Sequence, residues 1–434
     1  MTIRVFLGLQ EIAGYNANLK KGFQQLGYNC TFINLSDHPF DYGGDDTCWL
    51  VHILKNLLRK KSATPRINIG FIIILKLLIL AFKVMLFVWV LFKHDAFIFI
   101  YKSTFFNYYE LPVLKFFNKI IIYKFVGSDL RPPYINGSFV AASRALNIED
   151  CVKQAQKTKN TIKRIEKYAT YIISSPSYAH FTERPFILGL IAGLPYTKQC
   201  FNLNFLEITD KVRILHSPSF PEAKGSIIIR DAISRLKNKG LRIDYVELTG
   251  KSNNIVHEEL QKCDFVVDQL YSDTPMAGFA TEAALYGKPS VVGGYYSSFI
   301  GKDIDPVYIP PSVYCNPEDI ESAIERLVDD KNYRLDLGKK AQMFVKNNWH
   351  PIAVAEKYLR IIQCDVPACW LYNPNKIKYP YGCGINKDKV KELIRAIVCK
   401  YGKGALQLYD KPDLEELMLN FAYDKDRDLC SESL

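Results

Sequence analysis

Ile3-Arg-Val-Phe-Leu-Gly-Leu-Gln-Glu-Ile-Ala-Gly14 opens the chain with a short apolar run that breaks at Gly8 and reaches a second glycine before a helical pattern begins. That pattern runs through Leu19, Phe23 and Leu26, closes at Gly27 and gives way to another apolar run, Cys30–Leu35. Strand, loop, helix and strand within about thirty residues open a parallel, doubly wound sheet. Working outward, further strands are expected at Ala96–Tyr101, Ile120–Val126 and Tyr171–Ser174, with a polar-faced helix around Glu149–Ala169. Phe186–Pro195 reads as a join, after which the alternation restarts. Strands are expected at Val212–His216, Arg242–Leu248, Asp264–Asp268 and Pro289–Val292, and helices at Gly225–Lys239, Val256–Lys262 and Phe279–Tyr286. Three helical stretches follow between Pro317 and Gln363. The predicted fold is therefore α/β, with two Rossmann-like doubly wound domains, 1–200 and 205–362, facing a cleft. Residues 363–434 form an extension with two short helices, Lys387–Lys400 and Pro412–Tyr423, and no assigned role.

Composition fits this reading. At roughly 100–200 residues per domain, 434 residues exceed a single small module, and 48% hydrophobic with 23% charged residues exclude wholesale disorder. The net charge of +11 is unevenly spread: 25 Lys and Arg face 12 Asp and Glu in residues 1–204, and the remainder is close to neutral. A uniformly basic chain would suggest nucleic acid. A basic half beside a neutral one suggests a domain facing an anionic surface, with no nucleic-acid partner. Eleven cysteines without regular spacing read as reduced thiols of a cytosolic protein. The apolar run before Glu11 is too short for a secretory signal, so the sequons at Asn29, Asn34 and Asn136 are expected to be accidental. Cys364, Cys369 and Cys383 lack zinc-hook spacing, and the histidines are scattered, so no metal is predicted.

Gly70–Phe92 is almost wholly apolar, interrupted only by Lys76 and Lys83, and is long enough to span a bilayer. Its hydropathy gain and the cost of two central lysines nearly cancel. Spanning would put the strand at Ile3–Leu7 across the membrane from the strand at Ala96–Tyr101 of the same sheet, and it is rejected on that ground. Lys76 and Lys83 share a helix face, and Lys55, Arg59, Lys60, Lys61 and Arg66 cluster upstream. Segment 54–93 is accordingly expected to lie on an anionic leaflet; the other reading is a buried core helix with two snorkelling lysines.

The strongest local signal is Val212-Arg-Ile-Leu-His-Ser-Pro-Ser-Phe-Pro-Glu-Ala-Lys-Gly-Ser226, a strand and loop in which Lys224 and Gly225 open a helix. A helix N-terminus and an ammonium converging on one point would stabilise a diphosphate. Some fifty residues on, Asp268 begins a Gly/Pro loop that feeds a short helix carrying Glu282. Backbone amides there can cradle phosphate, and Glu282 can accept from two neighbouring hydroxyls, as on a ribose; placement near the helix dipole is its other explanation. Gly250-Lys251-Ser252 lacks the glycine a phosphate-binding loop needs at position 245. Asp303-Ile-Asp305 falls after the sheet pattern and is expected to be a solvated loop with no divalent ion.

His-Ser-Pro-Ser-x4-Lys-Gly-Ser and Thr281-Glu-Ala-Ala-Leu-Tyr-Gly-Lys-Pro289 resemble the donor domain of retaining family-4 glycosyltransferases of the GT-B fold, particularly bacterial polysaccharide enzymes of capsule or O-antigen assembly. The likeness covers about residues 1–362. It implies that Lys224 contacts the donor diphosphate, that Glu282 holds the ribose, and that the amides of Ala277, Gly278, Phe279 and Ala280 lie near the phosphates. His216, Ser217 and Gly225 fall within the same donor motif; a buried strand-end role is the other reading of His216. Gly127-Ser-Asp129-Leu-Arg131 resembles a first-domain segment of these enzymes, which makes Asp129 and Arg131 candidates, with Lys224, for the catalytic groups; an ordinary turn with a local ion pair is the alternative. Gly14, in the first β-α loop, would let the backbone approach the transferred sugar or phosphate. Two features depart from the family. Thr274 stands where many relatives have Glu, and Ile98 and Ile100 stand where a His-x-His is frequent.

The expected activity is transfer of a sugar from a nucleotide-diphosphate sugar to a membrane-borne or lipid-linked glycan acceptor, with retention, in surface polysaccharide biosynthesis. The enzyme would be a hexosyltransferase-type glycosyltransferase without cofactor, peripheral to the inner face of the membrane. The alternatives are a non-catalytic nucleotide- or glycan-binding homologue and a sugar-nucleotide epimerase of the same fold.

Overall fold

The strands of the first half form because their apolar runs are buried on both faces, the pattern of a parallel sheet covered by helices. The computed structural model describes residues 3–36, 45–65, 68–142, 147–197 and 210–423. In it β1 (Arg4–Leu9), β2 (Asn29–Asn34), β3 (Ala96–Ile100), β4 (Ile120–Lys124) and β5 (Tyr171–Ser174) run parallel in the order β2-β1-β3-β4-β5. The helices α1 (Tyr15–Gln25), α2 (Trp49–Ala63), α3 (Ile69–Lys93) and α4 (Glu110–Phe116) connect them. By its internal contacts the chain forms two compact units, one of residues 1–126, 164–173 and 351–367, the other of 127–163, 174–350 and 368–434. The helix Pro351–Ile362 thus packs in the first unit. A Cβ at Gly22 would lie 2.1 Å from the Pro351 carbonyl oxygen, and the hydroxyls of Tyr15 and Tyr358 meet at 2.9 Å.

β1 pairs with β3 from Val5 opposite Ala96 to Gly8 opposite Phe99, and α3 ends three residues before β3 starts. Helix α3 therefore completes a crossover within one sheet and cannot carry the chain across a bilayer without breaking that pairing.

In the second unit a short strand, β6 (Phe186–Leu188), precedes a parallel sheet of β7 (Val212–His216), β8 (Ile243–Glu247), β9 (Phe265–Gln269), β10 (Ser290–Gly293) and β11 (Val313–Cys315). Its order, β8-β7-β9-β10-β11, repeats that of the first sheet, so the expected pair of Rossmann-like doubly wound domains is present. One face is sealed by a core of Ile214, Ile229, Phe265, Val291, Ile324 and their neighbours, the other by Leu215, Leu260, Val266 and Ala283. β12 (Leu371–Tyr372), in the C-terminal extension, pairs antiparallel with β6.

One expectation is corrected. Asp303 is not part of a solvated loop: its carboxylate is half-buried and accepts the hydroxyls of Tyr296 at 3.0 Å and Tyr372 at 2.7 Å. Packing of the C-terminal extension on this loop shields it from water. Asp305 is exposed and caps a turn by accepting from the Val307 amide. Among the described residues no group of three or more His, Cys, Asp or Glu could hold a metal ion.

Candidate functional site

In a doubly wound sheet, ligands collect beyond the C-terminal ends of the strands where the strand order reverses. In the second unit that point lies between β7 and β9. The loop after β7 leads through the single turn Pro221–Lys224 to Gly225, whose φ of 72° starts the helix Ser226–Asn238. A side chain at 225 is excluded twice, by this left-handed backbone and by a Cβ position 2.5 Å from the Leu270 Cβ. The close approach lets the Leu270 amide donate to the Lys224 carbonyl at 2.9 Å, while the Lys224 ammonium donates to the Gln269 side-chain oxygen at the end of β9. Both switch-point loops are thus tied together at Lys224, which stays half-exposed.

The loop after β9 ends at Ala277, the N-cap of the helix Gly278–Leu285. Alanine has no side-chain acceptor, so among the described residues the first amides of that helix, at Gly278, Phe279 and Ala280, have no side-chain cap. A Cβ at Gly278 would lie 2.7 Å from the Tyr196 hydroxyl, so this approach also needs glycine. Glu282, one turn in, is 8% exposed; its Oε1 accepts from Asn253 at 3.2 Å and lies 3.6 Å from the His257 ring. Asp268, within electrostatic reach of both Lys224 and Glu282, is 3% exposed, and its Oδ2 has no hydrogen-bond partner among the described residues. Burial raises the Asp268 pKa, the Lys224 ammonium opposes that rise and the Glu282 carboxylate adds to it.

His216 is wholly buried, with Nδ1 on the Val267 carbonyl and Nε2 on the Ser226 hydroxyl, both at 2.8 Å. Desolvation lowers its pKa despite the Val267 hydrogen bond, so it is a neutral strut under the Lys224 loop. The Ser217 hydroxyl donates to the Leu248 carbonyl at 3.2 Å.

Arg131 and Asp129 also belong to the second unit. Arg131 is 7% exposed and both its Nε and a terminal nitrogen donate to Asp273, which is 1% exposed. Desolvation weakens the guanidinium's charge, but the Asp273 carboxylate outweighs it and the pKa is raised. This ion pair joins residues 142 positions apart and is not the local one of an ordinary turn. Asp129 is half-exposed and lies close enough to Tyr178 to raise the phenol's pKa, behind burial and Asp273. Asp268, Gln269, Asp273 and Asn253 were not singled out by sequence reasoning as site residues. The acidic ones stand at and just after the start of the Gly/Pro loop that leads to Glu282, yet only the fold shows that one feels the Lys224 charge and the other binds Arg131.

In the first unit Gly14 is the left-handed N-cap of α1 (φ 75°). The amides beside it are already occupied, because the buried Glu11 carboxylate accepts from Ile12, Asn16 and Ala17 at 2.7, 3.2 and 2.9 Å. Burial outweighs these bonds and pushes the Glu11 pKa up to about 7. Ile98 and Ile100 are core residues of β3.

Helix α3 is long and apolar enough to cross a membrane, by length and composition, and only 22% of its most apolar window is buried. Leu75, Ile79, Leu86 and Val90 face the unit's core, whereas Phe71, Ile74, Leu77, Leu80, Val84, Val88 and Phe92 are exposed. The snorkelling core helix is thereby replaced by a helix with one open apolar face. Lys55 pairs with Asp45 at 2.7 Å; Arg59, Lys60, Lys61 and Lys76 are exposed and Lys83 is half-buried. Arg66 lies outside the described residues.

No family model matches the sequence, and no curated protein matches it. In three dimensions the chain is similar to Anabaena Alr3699/HepE, crystallised with UDP and glucose, at 12% identity and a TM-score of 0.47, over 84% of this chain and 100% of that one. It is also similar to the catalytic domain of starch synthase IV from Arabidopsis thaliana bound to ADP and acarbose, at 12% identity and a TM-score of 0.48, over 84% and 99%. The spinosyn forosaminyltransferase SpnP matches at 10% identity and a TM-score of 0.43, over 84% and 100%. Likeness at this level carries no argument about activity; the two sheets stand on the chain's own strand order.

Proposed function

We propose that the chain is a GT-B glycosyltransferase that moves a hexosyl unit from a nucleotide-diphosphate sugar to a membrane-borne or lipid-linked glycan acceptor, with retention, in surface polysaccharide assembly at the inner face of the membrane. One observation carries the donor half of this reading. At the switch point of the second sheet, a half-exposed ammonium and the uncapped start of an eight-residue helix meet a buried carboxylate oxygen that has no hydrogen-bond partner among the described residues, and the buried Glu282. Lys224 and the amides of Gly278 to Ala280 suit the two phosphates, and Glu282 suits vicinal hydroxyls of the ribose.

In the reaction the bond between the sugar's anomeric carbon and the diphosphate oxygen breaks, and one between that carbon and the acceptor oxygen forms on the same face. The acceptor's proton passes to the departing diphosphate. Lys224 stabilises the charge that develops on that diphosphate, so the protein need not supply a base. Asp129 orients the acceptor hydroxyl, and Arg131, its guanidinium committed to Asp273, acts as a positioning residue for the Gly127–Arg131 turn. No metal or cofactor is invoked.

The exposed apolar face of α3 is assigned to a lipid leaflet. Lys60, Lys61, Lys76 and Lys83 lie along or beside it and complement anionic headgroups, while the side chains between them gain roughly 1 kcal/mol or more each on leaving water. Isothermal titration of wild type and Lys224→Ala with UDP, GDP, ADP, CMP and dTDP, followed by turnover with the sugar nucleotide of the base that binds, tests the donor reading. Binding of one nucleoside diphosphate, weakened in the variant, and release of that diphosphate on turnover are expected. Binding without turnover would identify a non-catalytic homologue, and interconversion of the sugar without an acceptor an epimerase.

A further inference from the structure

Beside α3 the first unit holds a hollow of about 360 Å³ lined by Lys61, Lys76, Lys83, Ile79, Leu80 and Phe105, among others. Three elements build it: the last turn of α2 supplies Lys61, one flank of α3 supplies Lys76 and Lys83, and the loop after β3 supplies the aromatic wall. Among the described residues no carboxylate lines it. Glu110, whose charge reaches Lys83, is buried and committed to the Thr104 hydroxyl at 2.6 Å and to the Phe105 and Phe106 amides at 2.9 and 3.0 Å. Lys83 leans over the floor, its ammonium donating to the Phe105 carbonyl at 3.3 Å and leaving two protons to give. Burial lowers the Lys83 pKa, the Glu110 charge opposes that fall, and the neighbouring Lys61 charge adds to it by a smaller amount.

The mouth of the hollow opens onto the apolar row of α3. Leu80 belongs to both, as part of the lining and as a half-exposed member of the row. A molecule with a compact anion at one end and hydrocarbon at the other would satisfy the lysines and the row together. The space, roughly that of a dozen waters, takes a phosphate with its ester linkage. We propose that this hollow binds the phosphate headgroup of an anionic membrane lipid, whose chains continue into the leaflet along α3. The site presupposes that α3 lies on a leaflet, and it turns a diffuse charged face into a discrete lipid-binding site.

Co-sedimentation of the full chain with three vesicle types tests it: phosphatidylcholine alone, phosphatidylcholine with phosphatidic acid, and phosphatidylcholine with phosphatidylglycerol matched to the same surface potential. Wild type should prefer phosphatidic acid over phosphatidylglycerol, because the accessible phosphomonoester fits among the lysines. Lys83→Gln should weaken binding to phosphatidic acid by more than about tenfold and abolish the preference, and Lys83→Arg should restore it. Lys60→Gln, outside the hollow, should weaken binding to both anionic vesicles alike, by about fivefold, and keep the preference. Excess inorganic phosphate at constant ionic strength should not release the protein; release would show a site for free phosphate and overturn the lipid assignment. Equal binding of wild type to both anionic vesicles, or equal losses in Lys83→Gln and Lys60→Gln, would overturn the hollow and leave the leaflet reading standing. Indifference of wild type to all anionic vesicles would overturn both.

Discussion

Lys224 and Gly225 are neighbours whose substitution should separate binding from folding. Lys224 is half-exposed and makes one side-chain hydrogen bond, so Lys224→Ala should leave the melting temperature nearly unchanged while weakening nucleoside-diphosphate affinity by about tenfold or more, as titration will show. Gly225→Ala must place a Cβ against Leu270 at a positive φ, so it should cost about 1–3 kcal/mol in urea unfolding and lose binding only through the fold. Arg131 calls for a cycle. Removing either it or Asp273 strands a buried charge at a cost of about 3–5 kcal/mol, whereas Arg131→Met with Asp273→Leu should recover much of that loss. Recovery of stability without recovery of turnover would show that the pair positions the Asp129 turn. The Lys224 loop and Glu282 were legible in sequence because each sits where a strand or loop hands over to a helix. Asp268 and Asp273 were not: they are separated by four residues, and no local pattern distinguishes the carboxylate near the Lys224 ammonium from the one bound to Arg131.

At the scale of elements, α1 shows what a periodicity misses. Its apolar positions Leu19 and Phe23 were readable, but its N-terminus is closed by Glu11, a residue that in the sequence only marked the end of an apolar run. Burial holds the Glu11 pKa near 7 in the folded chain against an ordinary 4.5. Between those values the folded protein keeps a proton that the unfolded chain has released, so this contribution to stability is fully present below about pH 4.5 and is lost as pH rises through about 7. The span amounts to about 3 kcal/mol. Unfolding wild type and Glu11→Gln in urea at about pH 5 and about pH 8 should give a stability difference that shifts against the wild type at the higher pH; a difference independent of pH would refute this account. α3 shows the converse. Its composition is plain in sequence, yet whether an apolar helix is a span, a core helix or an open face depends on β1 pairing with β3 and on which side packs inward.

For the molecule as a whole, the extension beyond residue 367 is the part that sequence reasoning left without a role, because its partners lie far back in the chain. It supplies acceptors to buried groups of the second unit. The Tyr134 hydroxyl donates to the Leu406 carbonyl, 272 residues away, the Gly137 amide to the Cys383 carbonyl, and His180 meets the Tyr379 carbonyl at 2.6 Å. The anchor is Lys159, wholly buried, with its ammonium 2.6 Å from Asp410, 3.1 Å from Glu183 and 3.2 Å from the Phe181 carbonyl. These contacts flank the turn that carries Asp129 and Arg131, so the extension acts as a brace for that segment. Lys159→Met removes the charge while keeping an unbranched apolar side chain, but leaves Glu183 and Asp410 without that partner, and it should cost about 3–5 kcal/mol. The loss should be local at first: limited proteolysis ought to release fragments cut between residues 368 and 423 while the nucleoside-diphosphate affinity at Lys224, which rests on the switch-point loops of the second sheet, stays within about twofold of wild type. If the extension remains as resistant as in wild type although stability falls, Lys159 supports its own helix and the brace is held elsewhere. If affinity collapses together with protection, the extension and the donor site unfold as one cooperative body.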